Sequence, residues 1–375
     1  MLNTTAANSE ARQPRAIVRL NGAPLPAWVS WEVSQNTYYE ADTFRVSFAA
    51  GGLGTQTVQP FIEQKELFVE VLAGFPADPA HPDASELDSL IYGRVDEIEF
   101  EPVTNMLTLT GRDLTAAFID ERVTDEWQNK TASDIASELA SKHTLVPVVT
   151  ATTTKVGTYY KRDQVRMQAN QSEWDLLAWL AREEGFVCYV SGQELHFEPD
   201  TSEDADPYVI EWQPADAASG WPSANAMDLH FSRSLTVSKG VSVTVRSPST
   251  TKKTATVESY PGKAKAIRPG KSSPFGGVQT YYFTLPANKT PAECQREAAK
   301  RYNEIIEHEM KMTARLPGDN DLTTRARIVV VGTDTAFDQV YYPHEITRSM
   351  SMDEGYTMSV NAKNHSPDLQ KATTP

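Results

Sequence analysis

Apolar and polar residues alternate in short runs through the first third of the chain. AIVRLNG (16–22), DTFRVSFAA (42–50), ELFVEVLAG (66–74), SLIYGRVDEIEFEP (89–102) and MLTLTGRD (106–113) are alternating or β-rich, with Gly, Pro and Asn as punctuation. Successive strand side chains point to opposite faces, so such runs predict half-buried β-strands. PADPAHPDASELD (76–88) is a proline-rich loop between two of them. Several short strands at this spacing predict a small β-barrel over residues 1–112.

Beyond Asp113 the period lengthens. In KTASDIASELASKHTL (130–145), Thr131 is placed as an N-cap, Asp134 lies three residues on beside the positive end of the helix dipole, and Ile135 and Leu139 share one face. SEWDLLAWLAREEGF (172–186) repeats the plan. Ser172 caps, Asp175 takes the third helical position, and Gly185 suits a left-handed C-cap. Leu176, Leu177, Leu180 and Ala181 form the apolar face with Trp179 beside it, and the helical context predicts burial of Trp174 and Trp179. FVCYV, the turn SGQ and ELHFEP (186–199) follow as a hairpin. Residues 113–200 thus form an α/β module of two helices and a hairpin.

Residues 201–224 are a polar connection. Alternation returns in MDLHFSRSLTVS (227–238) and GVSVTVRS (240–247), where Val241, Val243 and Val245 mark one face. Ser, Thr, Lys, Pro and Gly dominate 247–278, a long loop or extended insertion. Thr290, Pro291 and Glu293 open a further helix as cap, first helical residue and capping-box partner, with a buried face reaching to about Met310. ARIVVVG (326–332), VYYPHEITRSM (340–350) and YTMSVNAKN (356–364) close the chain. The end echoes the first third. At an offset of 251, Val95 falls on Ile346, Leu107 on Met358, Leu109 on Val360, and Gly111-Arg112-Asp113 on Ala362-Lys363-Asn364. The predicted fold is mainly β with α+β insertions: two related small β-barrel domains flank the α/β module. The first barrel takes 1–112; the second begins at 201–246 and is completed by 312–368. Between its parts lies an insertion, 247–311, with a basic loop and a helix, and 369–375 is a tail.

Composition narrows the function. Hydrophobic residues at 40% and charged residues at 23% exclude wholesale disorder. Cys188 and Cys294 have no CxxC spacing and read as small apolar residues of a reducing compartment. The N-terminal MLNTTAANSEARQPR lacks the apolar stretch of a secretory signal. LLAWLA and IVVVG are too short to cross a bilayer, so no membrane insertion is expected. A net charge of −15 argues against nucleic-acid binding by the whole surface. The charge is uneven, however: 78–101 is acidic with Arg94 its one basic residue, and 246–271 is basic with Glu258 its one acidic residue. Two solvated loops, or complementary contacts between subunits or with a partner, both fit that asymmetry.

Candidate chemistry is sparse. The seven histidines are scattered, and EHEM (307–310) holds only His308 where a zinc motif needs two. There is no GxSxG elbow, and neither GGLG (51–54) nor GKSS (270–273) is a phosphate loop. Glu183 and Glu184 are adjacent on a helix and point in different directions, so they read as a solvated helix end rather than a paired acid and base.

Three stretches carry a resemblance: YEADTFRVSFAA (39–50), QSEWDLLAWLAREEGFVCYVSGQELHF (171–197) and PGDNDLTTRARIVVVGTDTAFDQVYYPHEITRSMSMDEGYTMSVNAKN (317–364). Their order and spacing resemble the baseplate hub proteins of contractile-tail phages, the late control D family, related to the hub part of type VI secretion spike proteins. Two departures are visible. Ala326 stands where the family pattern favours glycine, and the family's histidine near Arg348 is absent, with His344 nearby.

The resemblance implies a non-enzymatic virion protein of the tail baseplate, assembled in the host bacterial cytoplasm, with no catalytic, cofactor-binding or metal residues. It implies a homotrimer whose two barrels per chain form a pseudo-sixfold ring, adapting a sixfold tail tube to a threefold central spike. The implied neighbours are a tail tube or distal tail protein, the spike, baseplate wedge proteins and the tape measure protein. DNA would pass through the channel without specific binding. Within that picture Lys252, Lys253, Lys263, Lys265, Arg268 and Lys271 are candidate interface residues facing an acidic surface, such as 78–101 of a neighbour. The alternatives are a baseplate-associated peptidoglycan hydrolase, a glycan-binding module carried by 113–200, and a type VI-like spike hub.

Overall fold

The computed structural model describes residues 13–53, 58–122, 126–128, 130–153, 155, 164–166, 171–201, 206–215, 220–238, 240–250, 254–262, 279–285, 287–306 and 309–364. The alternating first third forms β1 (Arg15–Leu20), β2 (Ala23–Pro24), β3 (Trp28–Asn36), β4 (Thr43–Ala49), β5 (Phe68–Gly74), β6 (Asp88–Glu101) and β7 (Met106–Asp113), with a single-turn helix α1 (Gln59–Ile62). They lie in the order β2-β1-β5-β6-β7-β4-β3. Every second residue of β4 and β7 is buried, so Phe44, Val46, Phe48, Leu107 and Leu109 share one core with Trp31, Val33, Val69 and Val71. Each such side chain removed from water contributes about 1.5–3 kcal/mol, which outweighs any single surface contact.

The α/β module follows: α2 (Thr115–Asp120), β8 (Glu126–Gln128), α3 (Ala132–Lys142), β9 (Val146–Val149), β10 (Gln164–Arg166), α4 (Glu173–Glu184), β11 (Phe186–Ser191) and β12 (Glu194–Pro199). Thr131 and Asp134, and likewise Ser172 and Asp175, form reciprocal capping boxes, and Gly185 ends α4 at φ 71°. These local rules placed both helices from the sequence. Trp174 is buried as expected, but Trp179 is 45% exposed. Five residues at about 100° each put the two rings about 140° apart on the helix, so one packed face cannot hold both.

The rest of the chain builds a second unit, split by an insertion. Its strands are β13 (Tyr208–Gln213), β14 (Ser223–Ala224) and β15 (Asp228–Arg233), followed by the short α5 (Leu235–Ser238). The insertion contains β16 (Val241–Pro248), β17 (Ala255–Tyr260), β18 (Gln279–Thr284) and α6 (Pro291–Ile306), with Val241, Val243, Val245, Cys294 and Ala298 at its own core. The unit resumes with β19 (Met310–Pro317), β20 (Ile328–Val331), β21 (Val340–Ser351) and β22 (Gly355–Lys363). The order here is β14-β13-β20-β21-β22-β19-β15.

The two units do not close as separate barrels. They are halves of one 14-stranded sheet, mainly antiparallel, because β3 pairs with β21 from Ser30↔Ser351 to Asn36↔Glu345. Alternation shows which face of a strand is buried, but a strand's backbone edge is blind to side-chain pattern. Closure could therefore not be read from the sequence. Several strands escape the sequence pattern, β9 and β18 among them, and β17 lies in what reads as the long loop of 247–278. β3 was passed over, β13 lies in what reads as a polar connection, and β19 was partly absorbed into a helix that stops at Ile306. MKMTARLP alternates buried and exposed at every residue of β19, a signal hidden by its position directly after α6.

The repeat is confirmed in a corrected register. The bulge between Val95 and Glu97 in β6 lies opposite Gly111 and Thr110, and that between Pro343 and Glu345 in β21 lies opposite Ala362 and Asn361. Superposing the bulges keeps the offset of 251 from β7 to β22 but gives 248 from β6 to β21 (Glu97 to Glu345). Ile98, not Val95, is therefore the equivalent of Ile346. The second hairpin is longer beyond this point: Glu101↔Met106 corresponds to Ser349↔Thr357, five residues apart against eight. The strand exits agree independently, since Asp113 N–H donates to Asp42 O as Asn364 N–H donates to Met310 O.

Candidate functional site at the junction of the two sheet halves

The three stretches that carry the resemblance converge on the seam between β3 and β21. From the first, Tyr39 sits at φ 80° and turns its carbonyl to accept from Trp174 Nε1 at 2.8 Å, while its hydroxyl donates to Phe186 O at 2.8 Å. The guanidinium of Arg182 lies 4.5 Å from the Tyr39 ring centroid, an attractive cation–π placement. The second stretch is thereby fastened to the first.

Arg348 belongs to the third stretch and is 2% exposed on β21. Its guanidinium donates to Asp319 O at 2.9 Å, to Leu322 O and to Gln35 Oε1 on β3. One buried cation thus ties the 319–322 loop and both halves of the sheet. The PGDN turn explains itself here. A Cβ on Gly318 would lie 2.4 Å from Cγ of Tyr356, so only glycine lets the loop cross that ring. Asp319 accepts from the Tyr208 hydroxyl at 2.6 Å, and Asn320 donates to Ala73 O and Asp88 Oδ2, both at 2.8 Å. Ala326 does not have positive φ, which is why alanine is tolerated there.

Two acids in this region went unnoticed in the sequence. Asp42 and Asp113 line, with Arg348, Tyr189 and Asn320, a cleft of about 180 Å³. Burial pushes the Asp42 carboxyl up to about 7, against the lowering effects of the Asn36 amide and Arg348. Burial also pushes Asp113 well above the ordinary carboxylate range, and the Asp42 charge adds to the rise. Both acids are occupied locally: Asp42 accepts from Asn36 N at 2.8 Å, and Asp113 from the Thr115 hydroxyl at 2.8 Å. The cleft is smaller than the ~300–1,000 Å³ usual for ligand sites. This chemistry can hold a proton and fix backbone; it offers little room for a substrate.

A second ionic cluster braces the α/β module. Glu173 is fully buried between Lys142 and His143. Burial pushes its carboxyl up, but hydrogen bonds from His143 and Lys142 prevail and hold it below its ordinary value. Lys142 ends α3 and Glu173 begins α4, so both helix dipoles favour their contact. Glu183 is exposed and Glu184 half-buried, and neither lines the cleft. Among the described residues no group of three or more His, Cys, Asp or Glu is arranged to hold a metal, and no helix is long and apolar enough to cross a membrane. Lys252, Lys253, Lys263, Lys265, Arg268 and Lys271 lie outside the described residues.

A family model for the phage tail baseplate hub (GPD) matches residues 83–319, well over half of the chain. The chain belongs to the phage tail baseplate hub family. No curated protein sequence matches it. The hub is similar in fold to the tail protein from Neisseria meningitidis MC58, with a TM-score of 0.67 at 14% identity over 95% of this chain and 99% of that one. The 43 kDa tail protein of prophage MuSo2 from Shewanella oneidensis gives 0.66 at 12% identity over 96% and 100%. An E. coli component of the type VI secretion system, itself described as similar to T4 tail proteins, gives 0.54 at 12% over 96% and 79%. The hub is accordingly a structural phage-tail component of mainly β fold, in which the three stretches that carry the resemblance are packed against one another.

Proposed function

We propose that this hub works as a homotrimer that adapts a sixfold tail tube to a threefold spike and surrounds a channel for DNA. The observation that carries the reading is the seven-strand order present twice in one continuous sheet, the halves differing in the outer strand, where β1 runs antiparallel to β5 and β13 parallel to β20; three chains then present six similar units. A tail tube or distal tail protein would meet the six-unit face and the spike the threefold one, with wedge and tape measure proteins as further neighbours. Likeness in fold to a chain of the Francisella PdpA-VgrG complex, TM-score 0.57 at 11% identity over 98% of this chain and 55% of that one, supports a spike as partner. Light scattering on the purified chain tests the trimer. Three times 41.5 kDa, about 125 kDa, is expected, and a monomer persisting at high concentration would overturn it.

The basic segment with Lys252, Lys253, Lys263, Lys265, Arg268 and Lys271 is proposed to meet acidic residues of the 78–101 region on a neighbouring chain. Charge reversal at Lys263, Lys265 and Arg268 should weaken assembly, and unchanged assembly would remove this contact from the scheme. One observation favours a glycan-binding role instead, the exposed ring of Trp179. Quenching of tryptophan fluorescence by peptidoglycan fragments, lost in Trp179→Ala, would support that second reading.

A further inference from the structure

Among the described residues the repeat leaves two strand edges unpaired that correspond to the two that are joined within the chain. In β21, β20 covers the first part of the outer edge through Tyr341, and β3 covers Glu345–Ser351. In β6, β5 covers the equivalent first part through Arg94, but among the described residues no strand covers 97–101. In the same way β3 lies between β4 and β21, whereas among the described residues its equivalent β15 pairs with β19 alone. The second correspondence is fixed by register. Thr43↔Arg112 matches Lys311↔Lys363, so β4 maps onto β19, and Ser34↔Thr43 then matches Ser232↔Lys311.

Burial differs at these positions as well. Trp31 and Val33, covered by β21 at the seam, are 1% and 0% exposed, while their equivalents Leu229 and Phe231 are only half-buried. Ile346 is fully buried, while Ile98 is half-buried, and Phe100, equivalent to the clasping Arg348, is 39% exposed. An exposed edge flanked by apolar side chains is a template for pairing with another chain. The in-chain seam shows what kind of strand each edge accepts.

We infer that β15 of one hub chain pairs antiparallel with residues 97–101 of β6 in the next chain, repeating between chains the β3–β21 seam. This rests on the trimeric reading and deepens it by naming the edges. Carrying over the seam's register sets Glu97 opposite Ser234, Glu99 opposite Ser232, Phe100 opposite Phe231 and Glu101 opposite His230. The Phe100–Phe231 pair would cover the exposed Phe100 ring and the remaining open part of Phe231, which stacks on Phe337 within the chain, and Glu101 would face the imidazole of His230. Glu99 and Ser232 take the places of Thr347 and Ser34, whose side-chain oxygens are 2.9 Å apart. Head-to-tail pairing of this kind must close into a ring or grow into a fibre, and two units per chain let three chains close it.

The register supplies the test. The full-length variant E99C/S232C, mildly oxidised, should form chains linked between subunits, with the linked trimer dominant on a non-reducing gel. The single variants and T108C/S232C, which places one cysteine a strand further away on β7, should give at least tenfold less. Cys188 and Cys294 are buried and contribute no background. A trimeric mass under reducing conditions with no 99–232 link, or with an equal yield from T108C/S232C, overturns the edge pairing and leaves the trimer standing. A monomeric mass with no link overturns both.

Discussion

Replacing Arg348 by methionine isolates what the buried clasp contributes. Methionine keeps most of the side-chain volume, so the change removes the guanidinium and little packing. Three charge-assisted hydrogen bonds disappear, to Asp319 O, Leu322 O and Gln35 Oε1, leaving three acceptors in a site where the arginine itself is 2% exposed. Each such bond is worth about 1.5–3 kcal/mol in mutational series, and orphaned buried partners add their desolvation. The three are not additive, because they share one side chain, so the combined loss is about twice that of one bond, about 3–5 kcal/mol. R348M is therefore expected to lose about 3–5 kcal/mol, a large share of the ~5–15 kcal/mol that a domain has. Urea unfolding gives the total, and hydrogen exchange locates it. Protection should fall along β3 and β21 while the β11–β12 hairpin, which has its own core, changes less. A loss below about 1 kcal/mol, or equal loosening of the hairpin, would refute the clasp.

Further predictions follow the same logic. Asp42 is raised in the folded chain to about 7, so its stabilising contribution is present below the unfolded value of about 4 and is lost as pH rises through about 7. Asp42→Asn should flatten the fall in unfolding midpoint between pH 5 and pH 8; an unchanged slope would contradict this. Glu173 is held below its ordinary value, so its contribution is present at neutral pH and lost as pH falls through the folded value. Glu173→Gln should cost about 1.5–3 kcal/mol at pH 7 and much less in acid, read by thermal unfolding at several pH values. Gly318→Ala forces a Cβ to 2.4 Å from the Tyr356 ring and should destabilise by about 1–3 kcal/mol, whereas Gly22→Ser, with no atom within 4 Å of a Cβ, should meet only its backbone strain.

Much of the local structure was legible in the residue pattern. Capping boxes at Thr131 and Ser172, the left-handed Gly185 and the alternating faces of β7 and β16 follow from rules acting within a few residues, where neighbours along the chain are the whole environment. The family was legible too, in the order of three stretches, of which 171–197 lies wholly within the matched residues 83–319, although what each does was not. The offset of 251 found one strand of the repeat correctly and misplaced its partner by three residues, because a bulge fixes register in space and a hairpin tip can lengthen without disturbing it.

Only the tertiary structure decided how the halves join. A strand edge offers the same N–H and C=O groups whatever its side chains, so nothing in WVSWEVSQN announces that β3 pairs with β21 rather than closing its own barrel. Asp42, Asp113 and Arg348 are likewise ordinary surface types in the sequence. Their burial and the upward shift of the two acids arise from packing segments that meet only when both halves are in place. The sequence by itself determined the capped helices α3 and α4 and the buried faces of strands such as β7 and β16, since those depend on near neighbours. The seam, the buried clasp and the open edges depend on which distant backbones come to lie side by side, a choice made by the free energy of the whole sheet.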